Sequence, residues 1–475
     1  MSGRWLRRAA LITIVAATVL AAVPASPGLA AEAEWDSRLV PLVAQVEELR
    51  GLEFEHPVAV ELLDDAEFES RVAVDRGKLD EQDRADLTRS EAQLRAMGLV
   101  AGGVDLLDSV SDLQQSGVLA YYDPKRERIT VRGKALDVAR RVTLVHELTH
   151  ALQDQHFDLE SLQRAARRAR GSAALQALVE GDASRIEAEY VGELSDGDRR
   201  KYDRWKLDTA SVVGGELEGN SVPAAIVAIF QSPYVLGAPM LRILVADRDT
   251  DAVDELFRHP PRADVSYLEP RTLLDGFDGV DVATPALADG ETQSGKPDVF
   301  GAFALYLTLA ASGDPVRALE VADKWGGDAM VTFTRPDGTT CVRATFAGRN
   351  DRAGATIRQA LEGWVAGRPD ATVVADGSRT TVTACDPGAA AVDPGVAVDA
   401  ALVAAVLRSE LLAQGAEVVG LEASACSIDE ALADPTFAPV LAAAAEDPDA
   451  LPDQSVLGPF QRRLAQITVE CAARN

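Results

Sequence analysis

The stretch His146-Glu147-Leu148-Thr149-His150 has the pattern H-E-x-x-H and follows an apolar segment, 138–145, with the periodicity of a helix. On a helix, two histidines four residues apart project from the same side, one turn above the other. One Zn²⁺ ion can therefore bind both imidazoles, while Glu147 lies beside them to accept a proton from a water molecule. The stretch predicts a zinc-binding helix at about 136–155.

The residues around this motif separate into two faces when the segment is drawn as a helix. The polar face comprises Thr143, His146, Glu147, His150 and Asp154. The apolar face, which we expect to point into the core, comprises Val138, Val145, Leu148 and Leu152. With 5 His in 475 residues, a chance H-E-x-x-H is expected on the order of 0.01 times or less. The alternative, a buried helix whose histidines only bond to neighbouring groups, is therefore less favoured.

Length and charge exclude some classes of protein. The 475 residues suffice for two or three domains, and a hydrophobic content of 47% is typical of a folded chain. The 75 acidic and 47 basic residues give a net charge of −28. This acidic balance argues against nucleic acid as a partner, because phosphates require a basic surface.

The N-terminus predicts a signal peptide at 1–30. Arg4, Arg7 and Arg8 form a positive region, residues 9–23 are apolar, and Gly28-Leu29-Ala30 offers small residues for cleavage. The apolar run is short for a membrane span, which favours cleavage over an uncleaved anchor. After cleavage we expect no membrane span, and we expect a secreted or cell-envelope protein.

The four cysteines, Cys341, Cys385, Cys426 and Cys471, lie far from the histidine motif. In an exported protein an even number of cysteines suggests disulfides, here with three possible connectivities. Proximity in the sequence favours Cys341–Cys385 and Cys426–Cys471. A zinc site with cysteine ligands is disfavoured, because none of the four lies near the motif.

The segment before the motif contains three predicted elements and a hairpin. A helix at 35–50, a strand at 57–62 and a charged helix at 80–97 form either an N-terminal subdomain or a removable pro-segment, 31–99. Strands at 119–122 and 128–131 flank the turn Asp123-Pro124. The hairpin either offers a strand edge to an extended substrate or simply covers the motif helix.

A second helix, at 172–191, supplies the predicted third ligand. Glu180 lies 30 residues after His150, and a catalytic zinc usually has three protein ligands. Gly181 beside it would allow two backbones to approach closely. Glu187 lies two turns later on the same face, so it is either the competing ligand or a group that orients an imidazole.

His146, Glu147 and His150 followed by Glu180 on a second helix resemble the gluzincins, the thermolysin-like zinc metallopeptidases. Residues 151–159 also resemble bacterial exported proteins of predicted metallopeptidase type, whose helix continues A-L-Q-D-Q-H-F-D-L. The resemblance covers about 118–191. It implies a zincin-like α+β fold and a peptide or protein substrate. Ser184 departs from the pattern, because several gluzincins have a carboxylate there that orients a histidine.

The resemblance also implies a group that stabilises the oxyanion, for which the sequence offers several candidates. These are Tyr190, Tyr202, Tyr234 and His259, for each of which core packing is favoured over a catalytic role. His156 is either a donor near the metal or the end of the motif helix. The apolar stretch 221–244 contains three prolines and predicts buried helices, with Tyr234 at a break between two of them.

Beyond the motif the sequence predicts a mostly helical zincin-like domain at 31–325, a small ββαββ region at 326–386 and an Ala-rich helical region at 387–475. The leading hypothesis is an exported zinc metallopeptidase with Glu147 as general base. The alternative is a non-catalytic, zinc-stabilised binding or envelope protein. No pattern in the sequence assigns an oligomeric state.

Overall fold

The computed structural model describes residues 34–73, 76–169, 171–219, 222–446 and 452–474. The predicted signal peptide at 1–30 lies outside the described residues and stays a prediction. The chain has the predicted α+β class, with about 61% helix, small sheets and two disulfides.

The first half of the chain builds a helical layer around a short sheet. Its elements are α1 (Val40–Arg50), β1 (Ala59–Leu63), α2 (Asp65–Val72), α3 (Glu81–Ala96), α4 (Leu106–Gly117), β2 (Ala120–Asp123), β3 (Arg128–Arg132), α5 (Val138–Phe157), α6 (Leu159–Ala169), α7 (Ser172–Glu193), α8 (Asp196–Gly219) and α9 (Ala224–Asp247).

The second half contains the larger sheet and a helical C-terminal region. Its elements are α10 (Asp251–Arg258), α11 (Arg271–Leu274), β4 (Thr292–Gln293), α12 (Ala302–Ala310), α13 (Pro315–Ala322), β5 (Trp325–Thr334), β6 (Thr340–Gly348), α14 (Asp351–Ala366), β7 (Ala371–Asp376), β8 (Arg379–Cys385), α15 (Val396–Val419), α16 (Leu421–Leu432), α17 (Phe437–Glu446) and α18 (Gln454–Ala472).

The first sheet has the strand order β1-β3-β2. β2 and β3 form the predicted antiparallel hairpin, and β1 joins β3 in parallel. The Arg132 N–H donates to the Leu119 carbonyl over 2.7 Å, so in this register Ala120 and Tyr122 point their backbone groups away from β3. In the strand order β2 lies at the edge of the sheet, and its outer side faces away from β3.

The N-terminal segment is built into the same unit as the motif helix. β1 supplies a strand of the sheet, and α1 packs against α5 and α7. Val43 and Val46 of α1 are buried in one cluster with Val145 and Leu148 of α5. The apolar face predicted for the motif helix thus lies against the N-terminal segment.

The second sheet has the strand order β4-β5-β6-β8-β7 and is antiparallel throughout. Together with α14 its last four strands form the predicted ββαββ unit. Cys341 and Cys385 are register partners on β6 and β8 and form one disulfide. Cys426 and Cys471 form the other, between α16 and α18. Both predicted pairings are present, and disulfides are typical of an oxidising compartment.

The prediction of separate helices at 221–244 is wrong, because α9 continues without a break through Pro233 and Pro239. Each proline removes one backbone donor, but α9 is held along its length by α7 and α15. Tyr234 therefore lies inside a helix. α9 is the described helix that is long and apolar enough to cross a membrane, yet 61% of that window is buried inside the protein, as in a core helix.

Candidate metal centre

α5 places the two motif histidines in the interior. The helix begins after Asp137, whose carboxylate accepts the Arg140 N–H, and ends before Asp158, which adopts a left-handed conformation with φ of 51°. His146 and His150 are one turn apart and at most 1% exposed. Their imidazole centroids lie 4.7 Å apart, so both rings border the same small volume.

α7 brings Glu180 to these histidines. Glu180 Oε2 lies 3.3 Å from His146 Nε2 and 3.2 Å from His150 Nε2, and its side chain is fully buried. Ligands bound to one tetrahedral zinc at about 2.0–2.1 Å are roughly 3.3 Å apart, so these distances fit a single ion. Among the described residues the other such group is Cys426, Glu430 and Cys471, whose two cysteines are joined in a disulfide.

Glu187 contacts the far side of the first histidine. Its Oε2 lies 3.2 Å from His146 Nδ1, and its Oε1 accepts the Tyr202 hydroxyl at 3.2 Å. A carboxylate on Nδ1 holds the proton there and leaves Nε2 free to bind a metal. Of the two roles predicted for Glu187, this contact favours the orienting one.

The second histidine has an orienting partner that the sequence analysis missed. His150 Nδ1 lies 2.9 Å from Gln153 Oε1, and Gln153 is fully buried. Gln153 follows His150 by three residues on α5, so it shares the polar face of the helix. This spacing of three residues is the signal in the sequence that could have indicated the contact. Ser184 does not supply this contact. It lies four residues after Glu180, where several gluzincins have a carboxylate.

Glu147 is buried among these residues without a polar partner. Its side chain is fully buried, and neither carboxyl oxygen has a hydrogen-bond partner among the described residues. Burial raises the pKa of Glu147 to about 7, against the opposing effect of the neighbouring histidines. The Tyr122 backbone N–H approaches the carboxyl from β2 without reaching hydrogen-bond geometry, and lowers this pKa a little.

The charges of the three donors are strongly coupled. Burial lowers the pKa of His146, but the hydrogen bonds with Glu180 and Glu187 outweigh it and raise the pKa to about 10. Burial raises the pKa of Glu180, yet the two histidines outweigh it and hold this pKa at about 2. The interior thus holds a carboxylate beside two histidine side chains, a donor set that suits a divalent cation once His146 gives up a proton.

Asp154 and His156, also predicted near the site, have other partners. The Tyr122 hydroxyl donates to Asp154 Oδ2 over 2.9 Å, and Asp154 Oδ1 accepts the Leu159 N–H at 3.0 Å. His156 Nε2 lies 2.8 Å from the Glu53 carbonyl oxygen at the surface. His156 belongs to the last turn of α5, as the alternative interpretation predicted. Both residues hold the end of α5 in place.

One of the four oxyanion candidates lies beside the donors. The Tyr234 ring stacks beside His146 with centroids 6.1 Å apart. The Tyr202 hydroxyl donates to Glu187, on the Nδ1 side of His146 and not on the side that faces Glu180. Tyr190 is buried in the core cluster around α5, and His259 is exposed at the end of α10. The structure therefore brings Tyr234 to the donors and Tyr202 only to Glu187.

Gly181 has the close-packing role that was predicted, but with a different helix. A Cβ on Gly181 would lie 2.4 Å from the Gly237 carbonyl carbon, and a Cβ on Gly237 would lie 2.2 Å from the Ala177 carbonyl oxygen. The close approach is therefore between α7 and α9, not between α7 and α5. It fixes α7, and with it Glu180, against the long apolar helix α9.

A cavity of about 600 Å³ borders the centre. Thr143, Glu187 and Tyr234 line it together with residues of α8 and α15. Thr143 precedes His146 and Glu147 on α5 by about one turn, so the cavity ends close to both. Neither histidine nor Glu180 is itself part of the wall.

A scan against protein-family models, a search of curated proteins and a search of solved structures found no match. The case for this centre rests on its own residues and distances.

Proposed function

We propose that this chain is an exported zinc metallopeptidase with a zincin-like fold, similar to the gluzincins. His146, His150 and Glu180 would hold Zn²⁺, and Glu147 would act as general base on a peptide or protein substrate. The observation that carries this proposal is the Glu147 carboxyl, buried beside the three donors with no polar partner of its own. An unpaired buried carboxyl is costly and is typical of a catalytic group.

Zinc, when bound, acts as a Lewis acid that polarises a substrate carbonyl and makes a water molecule more acidic. Glu147 accepts a proton from the attacking water and later gives it to the leaving amine. Glu187 and Gln153 keep the two imidazoles oriented through their Nδ1 atoms. The described part of the chain supplies three donors rather than four, which favours a catalytic over a structural zinc.

The edge strand β2 supports a peptide substrate. Its outer side, away from β3, carries the backbone groups of Ala120 and Tyr122, and the Tyr122 N–H faces Glu147. Both residues are 0% exposed, so a peptide reaches this edge only if the neighbouring helices move apart. An extended peptide that paired with this edge would bring its carbonyl groups to the general base. The first of the two roles predicted for the hairpin is therefore the one that we favour.

One observation favours the alternative, a non-catalytic protein that zinc stabilises. His146, His150, Glu180 and Glu147 are all at most 1% exposed, so a substrate reaches them only if the surrounding helices move apart. A structural zinc requires no such access. In that case Glu147 would have no chemical task.

The substitution Glu147→Gln distinguishes the two functions, because Glu147 is not among the three donors. A peptidase that carries Glu147→Gln should keep its zinc and lose about 10²–10⁴-fold in turnover. Hydrolysis of casein and of a quenched peptide library would be measured with metal content on the same samples. Glu362→Gln, at an exposed position of α14 that belongs neither to the donor group nor to the cavity wall, is the control and should leave both unchanged.

Each function predicts a different result. Zinc-loaded wild type that cleaves no peptide would support the structural role and contradict the peptidase. Equal turnover by wild type and Glu147→Gln would show that the measured activity belongs to another protease or that Glu147 is not the base.

A further inference from the structure

A line of buried polar side chains leads from the N-terminal helix to the second histidine. Arg50, the last residue of α1, is 1% exposed. Its Nε–H donates to Asp182 Oδ2 over 2.7 Å, and Gln153 Nε2 donates to the same carboxyl oxygen over 3.1 Å. Gln153 in turn contacts His150 Nδ1. Three helices, α1, α7 and α5, each contribute to this line.

These contacts fix the orientation of the Gln153 amide. Its Nε2 lies between two acceptors, Asp182 Oδ2 and the Val179 carbonyl oxygen, each at 3.1 Å. A flipped amide would place oxygen against oxygen at both positions. Oε1 must therefore face His150 Nδ1, and Nε2 is the ring nitrogen that faces Glu180.

Arg50 is needed because Asp182 is a fully buried carboxylate. Two guanidinium groups neutralise it: Arg50 on Oδ2 and Arg185, whose NH2 donates to Oδ1 over 2.9 Å. Without Arg50, Oδ2 would be held by Gln153 alone, and the buried carboxylate would lose half of its compensating charge. The Gln153 amide and the His150 ring would then be free to reorient.

We infer that Arg50 is a positioning residue of the metal centre, which acts on His150 through Asp182 and Gln153. It follows that the N-terminal segment belongs to the working protein and is not a pro-segment that is removed. This inference rests on the metal site of the proposed function, because it concerns the affinity of that site. Of the two roles predicted for 31–99, it selects the subdomain.

The test compares metal affinity in variants of the full exported chain. Arg50→Gln should weaken zinc binding roughly tenfold, the lower end of the range for partners of metal ligands. Arg50→Lys keeps a charge beside Asp182 and should restore most of the affinity. Zinc dissociation constants would be measured by chelator competition, and the visible spectrum of Co²⁺-loaded protein would report the ligand geometry.

Asp254→Asn is the matched control. Asp254 Oδ1 accepts from Arg50 NH2 over 2.6 Å, so this variant weakens the attachment of α1 but leaves the line to His150 intact. It should keep wild-type affinity and an unchanged Co²⁺ spectrum. An equal loss in Asp254→Asn and Arg50→Gln would mean that Arg50 only anchors α1, and would overturn the inference.

A second variant decides the question if Arg50→Gln does not fold. Gln153→Met removes the amide link and retains the ion pairs of Asp182, so it should fold, bind zinc at least tenfold more weakly and alter the Co²⁺ spectrum. Wild-type affinity in Gln153→Met would overturn the inference. A mature chain that begins after Arg50 and binds zinc with the affinity of the full chain would also overturn the inference. Wild type that binds no zinc would contradict the proposed function itself.

Discussion

Glu180 and Glu187 lie two turns apart on α7 and contact opposite nitrogens of His146. The first is therefore expected to bind the metal and the second to hold the ring. Glu180→Gln should abolish stable zinc binding, whereas Glu187→Gln should retain the metal with roughly 10–100-fold lower affinity. Metal content after dialysis and a chelator titration would measure both. Retention of zinc by Glu180→Gln and its loss from Glu187→Gln would reverse the assignment.

Asp264 offers a second test at the level of single residues, far along the chain from the motif. Burial and, to a lesser extent, repulsion by Asp328 raise the pKa of Asp264 to about 7. Because this lies above the unfolded value of 3.8, the contribution of Asp264 to stability is complete below pH 3.8 and is lost as the pH rises through 7. At pH 8 the folded protein must keep this carboxylate ionised in its interior.

We therefore predict that Asp264→Asn stabilises the protein at alkaline pH. Asn can still accept the Ala174 N–H, which Asp264 Oδ1 accepts at the start of α7 over 3.3 Å. The free energy of unfolding should rise by on the order of a few kcal/mol at pH 8, and by less at pH 5. Urea unfolding at both pH values measures this. An equal rise in the free energy of unfolding at both pH values, or no rise at pH 8, would show that folding does not raise the pKa of Asp264.

At the level of elements, the contact between α7 and α9 leaves no room for an added side chain. Gly181→Ala would push a methyl group into the α9 backbone, 2.4 Å from Gly237. The two helices must then separate, which should cost several kcal/mol and displace Glu180 from the histidines. The midpoint temperature of thermal unfolding and the zinc content would both fall.

The matched control for this substitution is on the same helix. Gly192 is exposed near the end of α7, and a Cβ there would meet nothing within 4 Å. Gly192→Ala should therefore stabilise α7 by about 0.5–1 kcal/mol and leave zinc content unchanged. If both alanine variants behave alike, the close approach of α7 to α9 is not what positions Glu180.

The sequence predicts those elements whose signals are local. The periodicity around His146 and Glu180 located α5 and α7, and the turn at Asp123-Pro124 located the hairpin. The continuity of α9 could not be predicted, because prolines usually end a helix unless tertiary packing holds it, and the helices that pack on it lie far away in the sequence.

The same limit applies to the site. The grouping of His146, His150 and Glu180 was predictable because both histidines lie within one H-E-x-x-H pattern and Glu180 begins an acidic run. Gln153 was within reach, as it shares a helical face with His150. Arg50 was not, because it meets Asp182 across 132 residues of chain. A single sequence without aligned relatives contains no local pattern that links such positions.

At the scale of the whole molecule, the second disulfide joins helices that pack apart from the metal centre. Cys426–Cys471 closes a loop with a sequence separation of 45. The helices that it joins pack around their own cluster, which includes Phe437, Phe460 and Ile467, while α5 belongs to a different cluster. Loss of the bond should therefore loosen the C-terminal helices without dismantling the metal centre.

We predict that replacing both cysteines by alanine lowers the stability of this region by about 2–4 kcal/mol. A calorimetric scan should show an early transition, and a zinc-sensitive dye should report metal release only at the later one. The double variant of Cys341 and Cys385 is the comparison, since it acts on the ββαββ unit. Metal release in the first transition would show that the C-terminal helices and the metal centre unfold as one unit, and would contradict the prediction.

The deep burial of the three donors has a consequence for how the protein acquires its metal. With these side chains at most 1% exposed, an ion cannot enter or leave until the helices around it separate. The rate of metal exchange is then set by how often the helices open. Above the chelator concentration at which each opening leads to capture of the ion, adding more chelator should not remove the metal faster. A chain with this property keeps the ion that it met while folding. Which metal it carries would be decided by the compartment in which it folds, before any competition between affinities can act.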